Sequence, residues 1–574
     1  MTGRRGTGTG EAAVDAAVRH VREGEQTWAA TSLAERRALL TRMQQLVAEH
    51  AQRWVEVAAS IKQLSATSPL LGEEWISGPW ALSGYLTALG ESLDHLAGGA
   101  SPLTGFSSHR APGDRVAIDV LPHHVFDRLL LSGFRAEVWL QPGVTVEEAR
   151  ATAGLGLLRP EQTGGVCAVL GAGNIFSIAP LDVLYQLYAE NRVVVLKLNP
   201  VTDPLKPVFE AVFAPFLELG VMEIMTGGAG TGAALVDHPV VTAVHMTGSE
   251  ATHDAIVWGT GEAGRAAREA GEPQLAKPVT SELGGVAPVI IVPGRWSKAD
   301  LRYQARHVAT QRLHNSGSNC IATQVVLVSS DWEQKDAFLD ELRAALAAAH
   351  PRTAWYPGSA ERINEARARH ERTAEAAADR ERALLRGLDL DDPREPAFRT
   401  EYFAPVLGVA ELPGEGAGFL SAAVTAANTT LRGTLGANIV IHPRTRKELG
   451  ARLDEAVANL RYGTIGINAW TGVGYLTPRA TWGAFPGHTL DDIRSGIGVV
   501  HNALLLARPE RTVVTGPFRP LRRSLLHGEP SISPTPPWFV DNRTAHITGR
   551  RLTAFSARPR WRSLPAIFAA AIRG

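Results

Sequence analysis

The chain holds two cysteines, and one of them stands where a nucleophile would be placed. Cys320 follows a polar run, Asn315, Ser316, Gly317, Ser318 and Asn319, and precedes an apolar run, 324–328, that reads as a buried β-strand. A structural cysteine ordinarily hides among apolar side chains. A thiol that attacks carbon needs access and N–H donors that favour the thiolate, because a free thiol of pKa about 8.5 is only a few per cent ionised at neutral pH. The "NSGSN" loop can supply both. Cys167, in "GVCAVL", has the apolar neighbours of a packing residue. Glu282, in "SELGG", lies between apolar residues and paired glycines, and reads either as a partly buried general base or as a cap. His123, His124, His238, His245 and His314 show no triad or metal-ligand spacing and read as surface or packing residues.

Three glycine-rich turns could hold an anionic ligand. "GAGNIF" (171–176) and "GGAGTG" (227–232) follow apolar strands, but neither completes G-x-G-x-x-G; Phe176 stands at the third glycine position of the first. Each reads as a tight turn. "TGS" (247–249) falls where a strand ends and a helix begins. The backbone N–H groups there point at an anion, and the Ser249 hydroxyl adds a donor beside Gly248.

Such groups need a rigid frame. From residue 165 the chain alternates short apolar strands ("GVCAVL", "RVVVLKLNP", "VMEIMTGG", "VVTAVHMTGS") with helices expected over 177–191, 202–220 and 231–239. Alternation at this spacing predicts an α/β fold with a parallel, doubly wound sheet. A second α/β stretch begins at "KPVTSELGGVAPVIIV", runs past Cys320 and includes a charged helix expected over 361–387. Upstream, residues 1–10 read as disordered, 11–100 as several amphipathic helices, and 115–145 as short β-like runs. Beyond about 511 the sequence becomes basic and proline-interrupted, with "PSISPTPPWF" and an arginine-rich end.

Composition sets outer bounds. In 574 residues, 58 basic side chains balance 58 acidic ones, so no global charge recruits nucleic acid or an anionic membrane. Apolar residues at 45% and charged residues at 20% describe an ordinary globular protein of two or three domains. Two cysteines make no disulfide framework, and the N-terminus lacks the apolar core of a secretory signal. A cytoplasmic protein is the expectation.

Taken in order, the motifs over roughly 160–500 resemble those of the aldehyde dehydrogenase superfamily. The most specific stretch is "GGAGTGAALVDHPVVTAVHMTGS"; "SELGG" is similar to the family's general-base motif, with Cys320 following Glu282 by 38 residues. The resemblance implies a Rossmann-type NAD or NADP domain, an α/β catalytic domain and a β oligomerisation arm. It also implies roles. Cys320 attacks an aldehyde, Asn174 helps form the oxyanion hole, and Glu282 activates water. Lys197, Gly248 and Ser249 contact the cofactor, with Glu401 and Phe403 at its nicotinamide ribose and ring. "GTIGIN" (463–468) would line the substrate tunnel. The expected domains are 1–284 (helices, cofactor domain and a β-arm near 115–160, joined by a strand near 511–515), 285–510 (catalytic) and 511–574 (extension). The expected assembly is a homodimer or homotetramer.

Departures from the family pattern carry information. Pro200 stands where many members have a glutamate for the adenosine ribose, which leaves NAD and NADP both open; Val286 replaces a lysine, and "GSNC" lacks the usual glutamine or glutamate. Two other readings stay open: an acylating enzyme that passes the acyl group to coenzyme A, and a catalytically silent scaffold. The tail is expected at the periphery, folded on its own domain or in contact with a neighbouring subunit or an anionic membrane.

Overall fold

The structure, a computed structural model, describes residues 7–370, 374–376, 381–520 and 535–574. Two sheets organise it. The six-stranded sheet has a parallel core built from Val166–Leu170, Val193–Lys197, Met222–Met225, Val241–Gly248 and Val279–Leu283, with the short Gly496–Ile497 added antiparallel at one edge. The strands are runs of Val, Ile, Leu and Ala because helices cover both faces, which leaves no polar side. One covering helix, Ile178–Tyr188, is buried along its whole length between this sheet and the N-terminal helices.

The larger sheet has eleven strands. Ala287–Ile291, Thr323–Ser329 and Val406–Leu412 form its parallel centre, and Gly436–Val440, Thr464–Ile467 and Pro509–Thr515 extend it on one side. The chain passes from one sheet to the other at Gly284, Gly285 and Val286, directly after Glu282 and Leu283. Gly284 is required there. A Cβ on it would collide with the Glu401 carboxylate.

Several expectations need correction. The helix expected over 202–220 is broken into a 3₁₀ turn, Pro200–Leu205, and two short helices, Lys206–Val212 and Ala214–Glu218. Pro204, Pro207 and Pro215 account for the breaks, since proline removes a helical donor and clashes with the preceding turn. The charged helix expected over 361–387 ends at Arg369, and the chain returns as a strand, Ala383–Leu388; residues 371–373 and 377–380 lie outside the described residues. Disorder was expected over 1–10, but a helix starts at Thr7 and residues 1–6 lie outside the description. The arm strands, by contrast, lie as expected beside a strand near 511–515: Arg115–Leu121 pairs with Arg135–Leu140, and that with Pro509–Thr515, which joins both to the larger sheet of the same chain. The tail takes the first of its expected forms, folded on its own chain. Part of "PSISPTPPWF" lies outside the described residues, but 535–574 forms helices packed on the body.

Candidate active site

The cleft between the two sheets, about 710 Å³, gathers the residues singled out by the sequence. Asn174, Glu282 and Cys320 line it together. So do Lys197, Gly248, Ser249, Glu401 and Phe403.

The sulfur is placed by an unusual loop. Helix Lys298–Leu313 ends at His314, and the next three residues, Asn315, Ser316 and Gly317, all adopt left-handed backbone (φ 55°, 54° and 70°). Such geometry is costly for non-glycine residues and persists only where surroundings enforce it. Here the Asn315 side chain donates to the carbonyls of Ser318 (2.9 Å) and Asn174 (3.1 Å). The Ser316 hydroxyl donates to the Thr353 carbonyl at 3.2 Å. Asn174 donates in turn to the Ser318 carbonyl at 3.0 Å. A primary amide has two N–H donors, so one remains for an oxyanion.

Electrostatics set the resting state. Burial pushes the Glu282 carboxyl up to about 7, helped by Asp182, while the Cys320 thiol and the Trp482 indole pull it down. Glu282 is fully buried at the end of its strand, and neither of its oxygens has a hydrogen-bond partner of good geometry. Burial and the facing Glu282 raise the Cys320 thiol well above its ordinary value, against its own backbone N–H. The sequence led to the expectation of a thiolate favoured by loop donors. Burial and the facing carboxylate instead work against the thiolate. Cys167 lies in the core, pushed by burial to about 12.

A buried carboxylate, Asp182, stands behind Glu282. It accepts from Thr247 Oγ1 at 3.1 Å and lies 3.4 Å from His245 Nε2 and 3.3 Å from His501 Nε2. Burial opposes its charge, but the two imidazoles hold it below the usual carboxylate range.

The cleft fits an extended, phosphate-bearing cofactor. Gly228 caps helix Ala229–Asp237 and Ser249 caps helix Glu250–Val257, so two helix N-termini with free N–H groups face the cleft. Added Cβ atoms at Gly228, Gly230 and Gly232 would meet nothing, which leaves room against the backbone. The Ser249 hydroxyl accepts from the Thr252 N–H at 3.2 Å, which caps its helix, and lies 3.0 Å from the Thr252 hydroxyl. Burial raises the Glu401 carboxyl to about 8, against the Gly285 N–H and the guanidinium groups of Arg312 and Arg362. Its Oε1 is buried without a partner, as suits an acceptor for a sugar hydroxyl. Burial lowers the Lys197 ammonium, with Asp203 opposing.

On the other side of Cys320 a narrow chamber is lined by Ile76, Ile178, Ile321, Trp470, Tyr475 and Trp482, with His314 and Asn319. This corrects the tunnel assignment. Strand Thr464–Ile467 is buried inside its sheet, and the wall is formed by residues that follow it. His314, read as a packing residue, is part of this wall and is held neutral by burial, its pKa pushed down to about 4. Also missed were Asp182, His501 and Glu73, the last of which accepts from the Asn315 N–H at 3.0 Å. No local pattern marks them, because each meets the partners named above across more than sixty residues of chain.

A profile of the aldehyde dehydrogenase family matches residues 159–480, more than half of the chain. The protein belongs to that family. Among curated relatives, aldehyde dehydrogenase LUC3 of Fusarium sp is 28% identical over 205 residues, 35% of this chain and 38% of the relative. The 3,6-anhydro-alpha-L-galactose dehydrogenase of Streptomyces coelicolor is 30% identical over 237 residues, 40% of this chain and 41% of that protein. The chain thus spans about two fifths of the length of these curated relatives. Among solved structures, the aldehyde dehydrogenase of Mycobacterium tuberculosis complexed with NAD+ superposes with a TM-score of 0.58 at 19% identity, over 86% of this chain and 88% of that one. The fold is shared.

Proposed function

We propose that the protein oxidises an aldehyde to the carboxylic acid through a thioester on Cys320, with NAD or NADP as hydride acceptor. The observation that carries this reading is the facing pair of Cys320 and Glu282 at the junction of the cofactor-shaped cleft and the apolar chamber.

The steps follow from the groups present. Cys320 Sγ adds to the aldehyde carbon and its proton leaves to solvent, so Glu282 stays available for the second step. The oxyanion that forms meets the free N–H of Asn174 Nδ2 and the backbone N–H of Cys320, donors fixed before reaction by the loop's own hydrogen bonds. The nicotinamide supplies a two-electron acceptor for the hydride that leaves this carbon. Glu401 and Phe403 border the cleft where they would orient it, and Lys197, Gly248 and Ser249 would hold its ribose and phosphates. The thioester then needs water. Glu282, ionised above about pH 7, takes a proton from the attacking water and returns it to the sulfur as the acid leaves.

The buried base supports water over coenzyme A, because a thiol acceptor does not need it. A panel of aldehydes with NAD and with NADP, followed by absorbance of the reduced cofactor, tests the reading. No turnover with either cofactor, or turnover only with coenzyme A present, sinks it. No helix among the described residues is long and apolar enough to cross a membrane. A cytoplasmic homo-oligomer is proposed from the family resemblance, and sedimentation of the pure protein measures its size.

A further inference from the structure

Residues 71–80 are clamped between the active site and the C-terminal tail. On the inner side, Glu73 Oε2 accepts from the Asn315 N–H at 3.0 Å and pairs with Arg352 Nη1. Glu74 pairs with Lys62 Nζ at 2.9 Å, and all four charged groups are buried. Asn315 is the left-handed residue whose side chain ties Asn174 to the Cys320 loop. Three residues past Glu73, Ile76 forms part of the chamber wall, joined by Ser77.

On the outer side, helix Ala545–Ala557 lies directly on this segment. The approach is close enough that two contacts need glycine. A Cβ at Gly72 would collide with Ala545, and one at Gly549 would stand 2.7 Å from Trp75 Cβ. The tail also meets helix Lys298–Leu313, which leads into the Cys320 loop. The Val540 N–H donates to Thr310 Oγ1 at 3.3 Å, Asp541 pairs with Arg306, and Phe539 stacks on His307 at 5.6 Å. Residues 71–80 run without a gap into helix Ala81–Ala97, but the backbone breaks at Gly78 (φ −108°, ψ −109°) beside Pro79. The turns ahead of that break are too short to be stable alone, so their partners help decide where they sit. These tail residues lie beyond 480, where the match to the family profile ends.

We propose that the tail, 535–571, is a positioning element of the active site, which fixes the Cys320 loop and the floor of the aldehyde chamber by clamping residues 71–80 and helix 298–313. The proposal rests on the reading of Cys320 as the reactive thiol. It makes the tail part of the machinery without letting it touch a reacting atom.

The test uses the full chain with Gly549→Leu at the outer contact and Glu73→Gln at the inner one. Four quantities are measured: the rate of Cys320 alkylation by iodoacetamide, binding of reduced cofactor, the melting temperature, and kcat/KM for propanal and hexanal. Buried Cys167 leaves Cys320 as the thiol that reacts. Both variants should bind reduced cofactor within about twofold of the wild type, since that cleft wall lies apart from the substitutions. Alkylation should change by about tenfold, and the hexanal-to-propanal ratio should shift by about as much, because small misplacements of a reacting group are costly. A merely structural tail would lower the melting temperature and leave that ratio alone. Wild-type alkylation and ratio in either folded variant, or loss of cofactor binding in step with activity, overturns the proposal. If Gly549→Leu does not fold, Glu73→Gln decides alone. If the wild type oxidises neither aldehyde, alkylation still decides this proposal while the catalytic reading fails separately.

Discussion

Toward the six-stranded sheet, the walls around Cys320 are turns at strand ends, with Gly171, Gly173, Gly228 and Gly248 exposing backbone to the cleft. Toward the N-terminal helices, they are large side chains, Ile76, Trp470, Tyr475 and Trp482. The first wall is an all-purpose cradle for phosphate and sugar and depends on short stretches of chain. The second is drawn from segments near 76, 178, 320 and 470–482, supported by helices from both ends of the sequence. One wall can be shared across a family while the other changes with the substrate. That contrast is where the structure can be broken.

The largest effect should come from the sulfur both walls share. Cys320→Ala is expected to abolish aldehyde oxidation, whereas Cys167→Ala leaves the chemistry largely intact, because Cys167 is fully buried in the Val166–Leu170 strand. Turnover in the first variant, or death of the second, overturns the assignment. Next comes the base. Glu282→Gln should reduce cofactor in one fast turnover and then stall, with steady-state rate down about 10²–10⁴-fold and an acyl adduct visible by intact mass. Wild-type behaviour of this variant removes the hydrolytic role. Asn174→Ala should instead slow the burst itself, by about 10²–10³-fold if its N–H behaves like other oxyanion donors. A normal burst in that variant denies the oxyanion role.

Legibility followed the same divide. The strands and turns of the glycine-lined wall could be read because strand, glycine turn and helix are contiguous in sequence; Gly248 and Ser249 were found that way, whereas Lys197 came from the family resemblance. Cys320 was legible from its polar loop, though the upward push on its thiol was not, because burial is a property of the whole fold. The aldehyde wall was not legible. Trp470 and Tyr475 follow a strand that was itself assigned to the wall, and Glu73 reaches Asn315 across 242 residues of chain. That the tail folds on its own chain was among the expected forms, but its inner contacts were not legible: its arginines and prolines suggest an exposed segment, whereas Leu552, Phe555, Leu564 and Ile567 give it a buried face.

The smallest expected effect is a matter of pH, and it separates the two half-reactions at this boundary. Burial raises the Glu282 carboxyl to about 7, so the group is protonated below that pH and ionised above it. Hydrolysis requires the ionised form. The steady-state rate, where deacylation limits it, should therefore fall by about tenfold per unit as pH drops below 7 and level off above it. Loss of the Glu282 charge also relieves Cys320 of a facing carboxylate, which acts to raise its pKa. Binding of reduced cofactor to the glycine-lined wall does not involve this proton and should stay nearly flat from pH 6 to pH 8. The check is a pH series of burst amplitude, steady-state rate and reduced-cofactor binding on one preparation. A steady-state rate independent of pH across 6–8, with the burst intact, would show that Glu282 is not the group that activates water.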